Sequence, residues 1–79
     1  MKNLRSAKHR ALIAAIVAAR EAAGLTQREL AAKLKRSNSF VWKIEAAERR
    51  VEVLEFVEIA RAVDVDPAEL LTRALRGAG

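Results

Sequence analysis

The chain has 79 residues, no cysteine, and 15 lysines and arginines against 10 carboxylates, for a formal net charge of +5. That length suits one domain with one modest core and leaves little room for a second, ligand-sensing unit, while the missing cysteines exclude disulfide staples and thiolate metal sites and fit a reducing cytoplasm. The longest apolar run, residues 11–19, is too short to cross a bilayer and is followed by no small-residue cleavage site, so neither a membrane span nor a secretion signal is expected.

Charge is unevenly placed. Residues 1–50 carry twelve lysines and arginines against four carboxylates, and residues 51–79 carry three against six. An anion is the natural partner of the first part.

Residues 1–6 read as a basic N-terminal arm. Alanine, leucine, glutamate, lysine and arginine dominate the rest of the chain, and strand formers never alternate cleanly, so the fold class is all-α. A first helix is expected over residues 7–23, with Leu12, Ile13, Ile16 and Val17 as its apolar stripe and Gly24 as its stop. Thr26-Gln27-Arg28-Glu29 has the form of a capping box opening a second helix that runs to about Leu34. Lys35-Arg36-Ser37 makes a short polar break, and Ser37 is placed to cap a third helix over residues 38–46. Two helices this close in sequence point to a helix-turn-helix. A fourth helix over residues 52–63 should bury Val53, Phe56, Ala60 and Val63 and turn Glu52, Glu55 and Glu58 outward. Asp66-Pro67-Ala68-Glu69 opens a fifth helix, expected to reach about Leu75, with residues 76–79 a frayed tail. The domain proper is therefore residues 7–75.

Stepping the third helix at 100° per residue puts Val41 and Ile44 on its core side, flanked by Phe40 and Glu45. Ser39, Trp42, Lys43 and Ala46 share the opposite arc, with Asn38 at its edge. Asn and Lys are side chains that read adenine and guanine in a major groove, and apolar groups meet the thymine methyl. Asn38, Ser39, Trp42 and Lys43 are accordingly the base-contact candidates. Trp42 has a second reading, as a packing residue against another subunit or the fourth helix. Around the arc, Gln27, Arg28, Arg36, Ser37, Arg49 and Arg50 are the phosphate-contact candidates, with Lys33 and Lys35 nearby. Gln27 could instead brace Asn38 or stand as an ordinary exposed glutamine. His9 is the only histidine and has no nearby Cys, Asp or Glu for a nucleophile pair or metal cluster, so no enzyme, metal or cofactor is expected and His9 is read as a surface or phosphate-side residue.

Leu25-Thr26-Gln27-x-Glu29-Leu30-Ala31, then Ser37-Asn38-Ser39-Phe40-Val41-x-Lys43-Ile44-Glu45, and finally Val63-x-Val65-Asp66-Pro67-x-Glu69-Leu70-Leu71 together resemble the Cro/phage-repressor, or XRE-type, regulators. The resemblance covers about residues 16–71. It implies a five-helix, lambda-repressor-like fold that binds double-stranded DNA as a homodimer on an inverted-repeat operator, most simply as a repressor. It further implies base reading by Asn38, Ser39, Trp42 and Lys43, phosphate or bracing contact by Gln27, and an ion pair between Arg20 and Glu45. Three residues depart from the family pattern: Lys35 and Ala47 stand where glycine is common, and Ala46 where relatives often carry a side chain able to reach phosphate. No small-molecule effector is evident, and the rival reading is a protein-interaction module such as an antitoxin-like subunit anchored by Trp42.

Overall fold

The computed structural model describes residues 4 and 6–78, and in it five helices succeed one another: α1 (Ala7–Ala22), α2 (Gln27–Leu34), α3 (Asn38–Glu45), α4 (Val53–Ala62) and α5 (Pro67–Gly77). Residues 1–3 and 5, most of the expected arm, lie outside the described residues, as does residue 79. None of the described helices is long and apolar enough to cross a membrane.

Four of the helices begin where a side chain satisfies an orphaned N–H. The Ser6 hydroxyl accepts from the His9 N–H at 3.1 Å. At α2 the capping box is complete: Thr26 Oγ1 accepts from the Glu29 N–H at 3.0 Å, and Glu29 Oε1 accepts from the Thr26 N–H at 2.9 Å. Glu55 Oε1 likewise accepts from the Glu52 N–H at 3.0 Å at the start of α4. Asp66 accepts from the Glu69 N–H at 3.1 Å, with Pro67 at the first helical position. Ser37 occupies the cap position of α3, but its side chain makes no capping bond and lies 3.0 Å from the Ser39 hydroxyl instead.

Four helices also stop alike. Gly24, Lys35, Ala47 and Asp64 have φ values of 76°, 58°, 62° and 65°. In each case the next N–H turns back to a carbonyl five residues earlier: Leu25 to Arg20, Arg36 to Ala31, Glu48 to Lys43 and Val65 to Ala60, at 2.8 to 3.1 Å. This is the Schellman arrangement, which normally recruits glycine. Ala47 thus ends α3 rather than extending it.

Ile16, Leu30, Ile44, Ile59 and Leu70, one from each helix, are among the largest fully buried side chains, joined by Val41. The hydrophobic core is a single cluster spanning all five helices. α1 lies chiefly along α5, and α2 packs against α3 and α4. α3 is thereby held against α2 and α1 on its inner side.

In several places the outcome differs from the sequence reading. On α4 the buried stripe is Phe56, Ile59, Ala60 and Val63, while Val53 is 78% exposed. Glu55, expected outside, is buried. The helix starts one residue later than expected, which makes Glu55 its third residue and brings its carboxylate back to the helix start. α5 continues through Gly77, past the expected end at Leu75, and Gly77 approaches α1 closely enough that a Cβ there would sit 3.6 Å from the Ala11 Cβ. His9 is half-buried, and its Nε2 is enclosed with no hydrogen-bond partner, unlike the surface residue expected.

Candidate nucleic-acid interface

The outward arc of α3 is open. Asn38, Ser39, Trp42 and Lys43 are all exposed, Trp42 by 49%, while Phe40, Val41 and Ile44 face the core. About half of the Trp42 surface is thus open to solvent. With Arg20, Thr26, Gln27 and Arg28 from the end of α1 and the start of α2, the residues Asn38, Ser39 and Trp42 line an open depression of about 560 Å³. Polar donors, one indole face and a cation at the edge of the arc converge on one surface.

An ionic knot fixes the floor of that depression. Arg20 Nε and Nη2 donate to the two carboxylate oxygens of Glu45 at 2.7 and 3.0 Å, and Nη1 donates to the Leu25 carbonyl at 2.8 Å. Gln27 Nε2 donates to Glu45 Oε1 at 2.7 Å. The two charged side chains are 11% and 7% exposed. The Glu45 carboxylate, by accepting the Arg20 hydrogen bonds, raises the Arg20 pKa, while burial opposes it. The pair implied by the resemblance is present, with both side chains largely enclosed. Gln27 braces Glu45 rather than Asn38, which leaves its second amide proton available at the rim.

The flanking cations fall into two groups. Arg28, Lys33, Lys35, Lys43 and Arg50 are exposed and make no ion pair among the described residues. Arg36 and Arg49 are engaged. Arg49 grips Glu55 with two bonds, Nη1 to Oε1 at 2.8 Å and Nη2 to Oε2 at 3.0 Å, and its Nη1 also donates to the Arg50 carbonyl at 2.9 Å. Arg36 approaches the same carboxylate to 3.6 Å and Glu58 to 4.0 Å. Both guanidinium carbons lie over the Phe40 ring, at 4.4 and 4.6 Å from its centroid. The Arg49 hydrogen bonds, with the Glu52 N–H and the nearby charges of Arg49 and Arg36, hold the Glu55 carboxyl down at about 2 against the opposing effect of burial.

Sequence reasoning missed Glu55 and the second role of Phe40. A signal for Glu55 was present. It stands three residues after Glu52, as Glu29 stands after Thr26, at the position that returns a carboxylate to the helix start. Among the described residues no group of three His, Asp or Glu side chains could hold a metal ion.

Comparison with known proteins agrees with this geometry. A family model described as a helix-turn-helix domain matches residues 14–72. Among solved structures, an XRE-family like protein from Pseudomonas syringae pv. tomato str. DC3000 is 47% identical, with a TM-score of 0.83, covering 89% of this chain and 85% of its own. The clp gene regulator ClgR from C. glutamicum is 26% identical, with a TM-score of 0.81, covering 99% of this chain and 95% of its own. No curated protein matches. With the family model spanning most of the chain and the open third helix in place, the protein belongs to the XRE-type helix-turn-helix family of DNA-binding regulators.

Proposed function

We propose that the protein controls transcription by sequence-specific binding to duplex DNA, as a homodimer that represses by occupying an inverted-repeat operator. The observation that carries this reading is the exposed arc of Asn38, Ser39, Trp42 and Lys43, together with exposed cations that have no carboxylate partner among the described residues. An α-helix with such an arc fits the major groove, where Asn38 is suited to adenine, Lys43 to guanine, Ser39 to either and the Trp42 ring to a thymine methyl. Gln27 and Arg28, which line the depression beside the arc, and Ser37 and Arg50 are the candidate phosphate contacts. The name of ClgR, a gene regulator, points the same way.

A second copy is the partner that the rest of the surface suits. Leu71 and Leu75 on α5 are 46% and 61% exposed, and Leu54 near the start of α4 is 73% exposed. Ile59, on the same helix as Leu54, is by contrast buried in the core. In a two-fold dimer built on these leucines, binding to an inverted repeat requires the two α3 helices to stand about 34 Å apart, in successive major grooves on one DNA face.

Selection of bound sequences from a random duplex pool tests the proposal. An enriched inverted repeat whose half-sites lie about one helical turn apart is the expected result. On that sequence Lys43→Ala should lose about 1–3 kcal/mol of discrimination, and Trp42→Ala should weaken binding where a thymine methyl is read, both leaving the fold intact. A pool that stays random through selection would overturn the function, and enrichment of single, unpaired half-sites would overturn the dimer.

A further inference from the structure

We infer that Glu55 is a positioning residue for DNA binding: it holds Arg36 and Arg49 against Phe40 and so withholds both from the phosphate backbone. The inference rests on the DNA-binding reading and adds which cations that reading can use.

Glu55 is the one charged residue whose burial puts it among the core side chains of the described residues. Its carboxylate sits between the turn that leads into α3, which carries Arg36, and the loop that leaves α3, which carries Arg49. Phe40, on α3 itself, supplies the ring over which both guanidinium groups lie. The cluster therefore clamps the recognition helix at both ends from its buried edge. Three of the Arg49 donor contacts are already made, two to Glu55 and one to the Arg50 carbonyl.

The same contacts set the local charge. Arg36 and Arg49 face Glu55 and Glu58, so the cluster presents no net cation to a phosphate. A phosphate could recruit Arg49 only by stripping a bidentate partner from a buried carboxylate, which leaves that carboxylate uncompensated. Counterion release on binding should then be set by Arg28, Lys43, Arg50 and their exposed neighbours, and not by the two arginines nearest the ends of α3. The clamp exchanges sequence-independent affinity for a fixed approach of the base-reading arc.

The experiment measures the binding of a fluorescent duplex of scrambled sequence, by anisotropy, across about 50 to 200 mM salt, because non-specific binding reports cations without requiring the operator. Arg28→Gln should flatten the slope of log K against log salt by about 0.9, the value for one lost phosphate contact. Arg36→Gln, a substitution at a half-exposed side chain that donates no hydrogen bond, should leave the slope as in the parent protein. Glu55→Gln should steepen it by about 0.9 for each arginine released. A flattening by Arg36→Gln equal to that by Arg28→Gln overturns the inference, even if Glu55→Gln fails to fold. A folded Glu55→Gln variant with the parental slope overturns it as well. Absence of any duplex binding by the parent protein would instead bring down the functional reading beneath it.

Discussion

The Glu45 carboxylate receives three hydrogen bonds, two from Arg20 and one from Gln27, and so joins the end of α1, the start of α2 and the end of α3 at one point. A charge so enclosed is tolerable only while its partners remain. Glu45→Ala leaves the Arg20 guanidinium buried with only the Leu25 carbonyl, and should cost about 3–5 kcal/mol in urea unfolding. Gln27→Ala removes one bond of the three from a carboxylate that keeps Arg20, and about 1.5–3 kcal/mol is the upper range for a hydrogen bond to a charged group. A loss for Gln27→Ala as large as that for Glu45→Ala would mean that the amide, not the ion pair, holds the corner. Because the same corner floors the depression beside Asn38 and Trp42, both substitutions should also weaken DNA binding at temperatures where the domain is still folded.

Among the elements, the four left-handed stops separate what is legible in sequence from what is not. Gly24 announces its own turn. Lys35, Ala47 and Asp64 adopt the same conformation with a Cβ in place, so only family resemblance, not local propensity, singles out Lys35 and Ala47 as sites where glycine is usual. A left-handed conformation costs a non-glycine residue about 1–2 kcal/mol, partly offset in any replacement by the greater freedom of glycine in the unfolded chain. Ala47→Gly and Lys35→Gly should each therefore raise stability by about 0.5–1 kcal/mol, read as a higher denaturation midpoint with an unchanged slope. A destabilised Ala47→Gly variant would show that the Ala47 methyl contributes packing that outweighs its strain. The caps at Thr26 and Asp66 and the inner faces of α1 and α3 were readable because each has a periodic stripe or a side chain able to close the first turn, whereas Ser37 has such a side chain and turns it to Ser39. α4 was misread for a specific reason. Val53 and Phe56 are three apart and fit a stripe, but the true stripe begins at Phe56, because the first turn of α4 is held by Glu55 through contacts with Arg49 and Arg36 that are remote from any helical period. The candidate interface divided the same way. The exposed arc can be drawn on a helical wheel, whereas the engagement of Arg36 and Arg49 depends on where a neighbouring helix delivers one carboxylate.

At the scale of the whole molecule, that carboxylate also sets a limit on acid stability. The Glu55 carboxyl titrates near 2 in the folded protein against 4.5 for the ordinary group, because Arg49 and the Glu52 N–H favour its charged form. Above pH 4.5 both folded and unfolded chains carry the charge, and the full stabilising contribution is present. Between 4.5 and about 2 the unfolded chain takes up a proton that the folded chain refuses, so stability falls as pH falls, by up to about 1.4 kcal/mol per pH unit for one such proton. General repulsion acts in the same direction, since 15 lysines and arginines lose the opposition of 10 carboxylates as acid neutralises them. Glu55→Gln separates the two effects, as it removes the single depressed group and leaves almost all of the repulsion. The variant should be less stable than the parent protein at pH 7, and its stability should decline more gently between pH 4.5 and 2, so that the difference between the two proteins narrows with acid. Urea unfolding at a series of pH values measures both curves. Parallel curves would mean that Glu55 titrates in the folded state as it does in the unfolded chain, and that Arg49 binds it by shape without stabilising its charge.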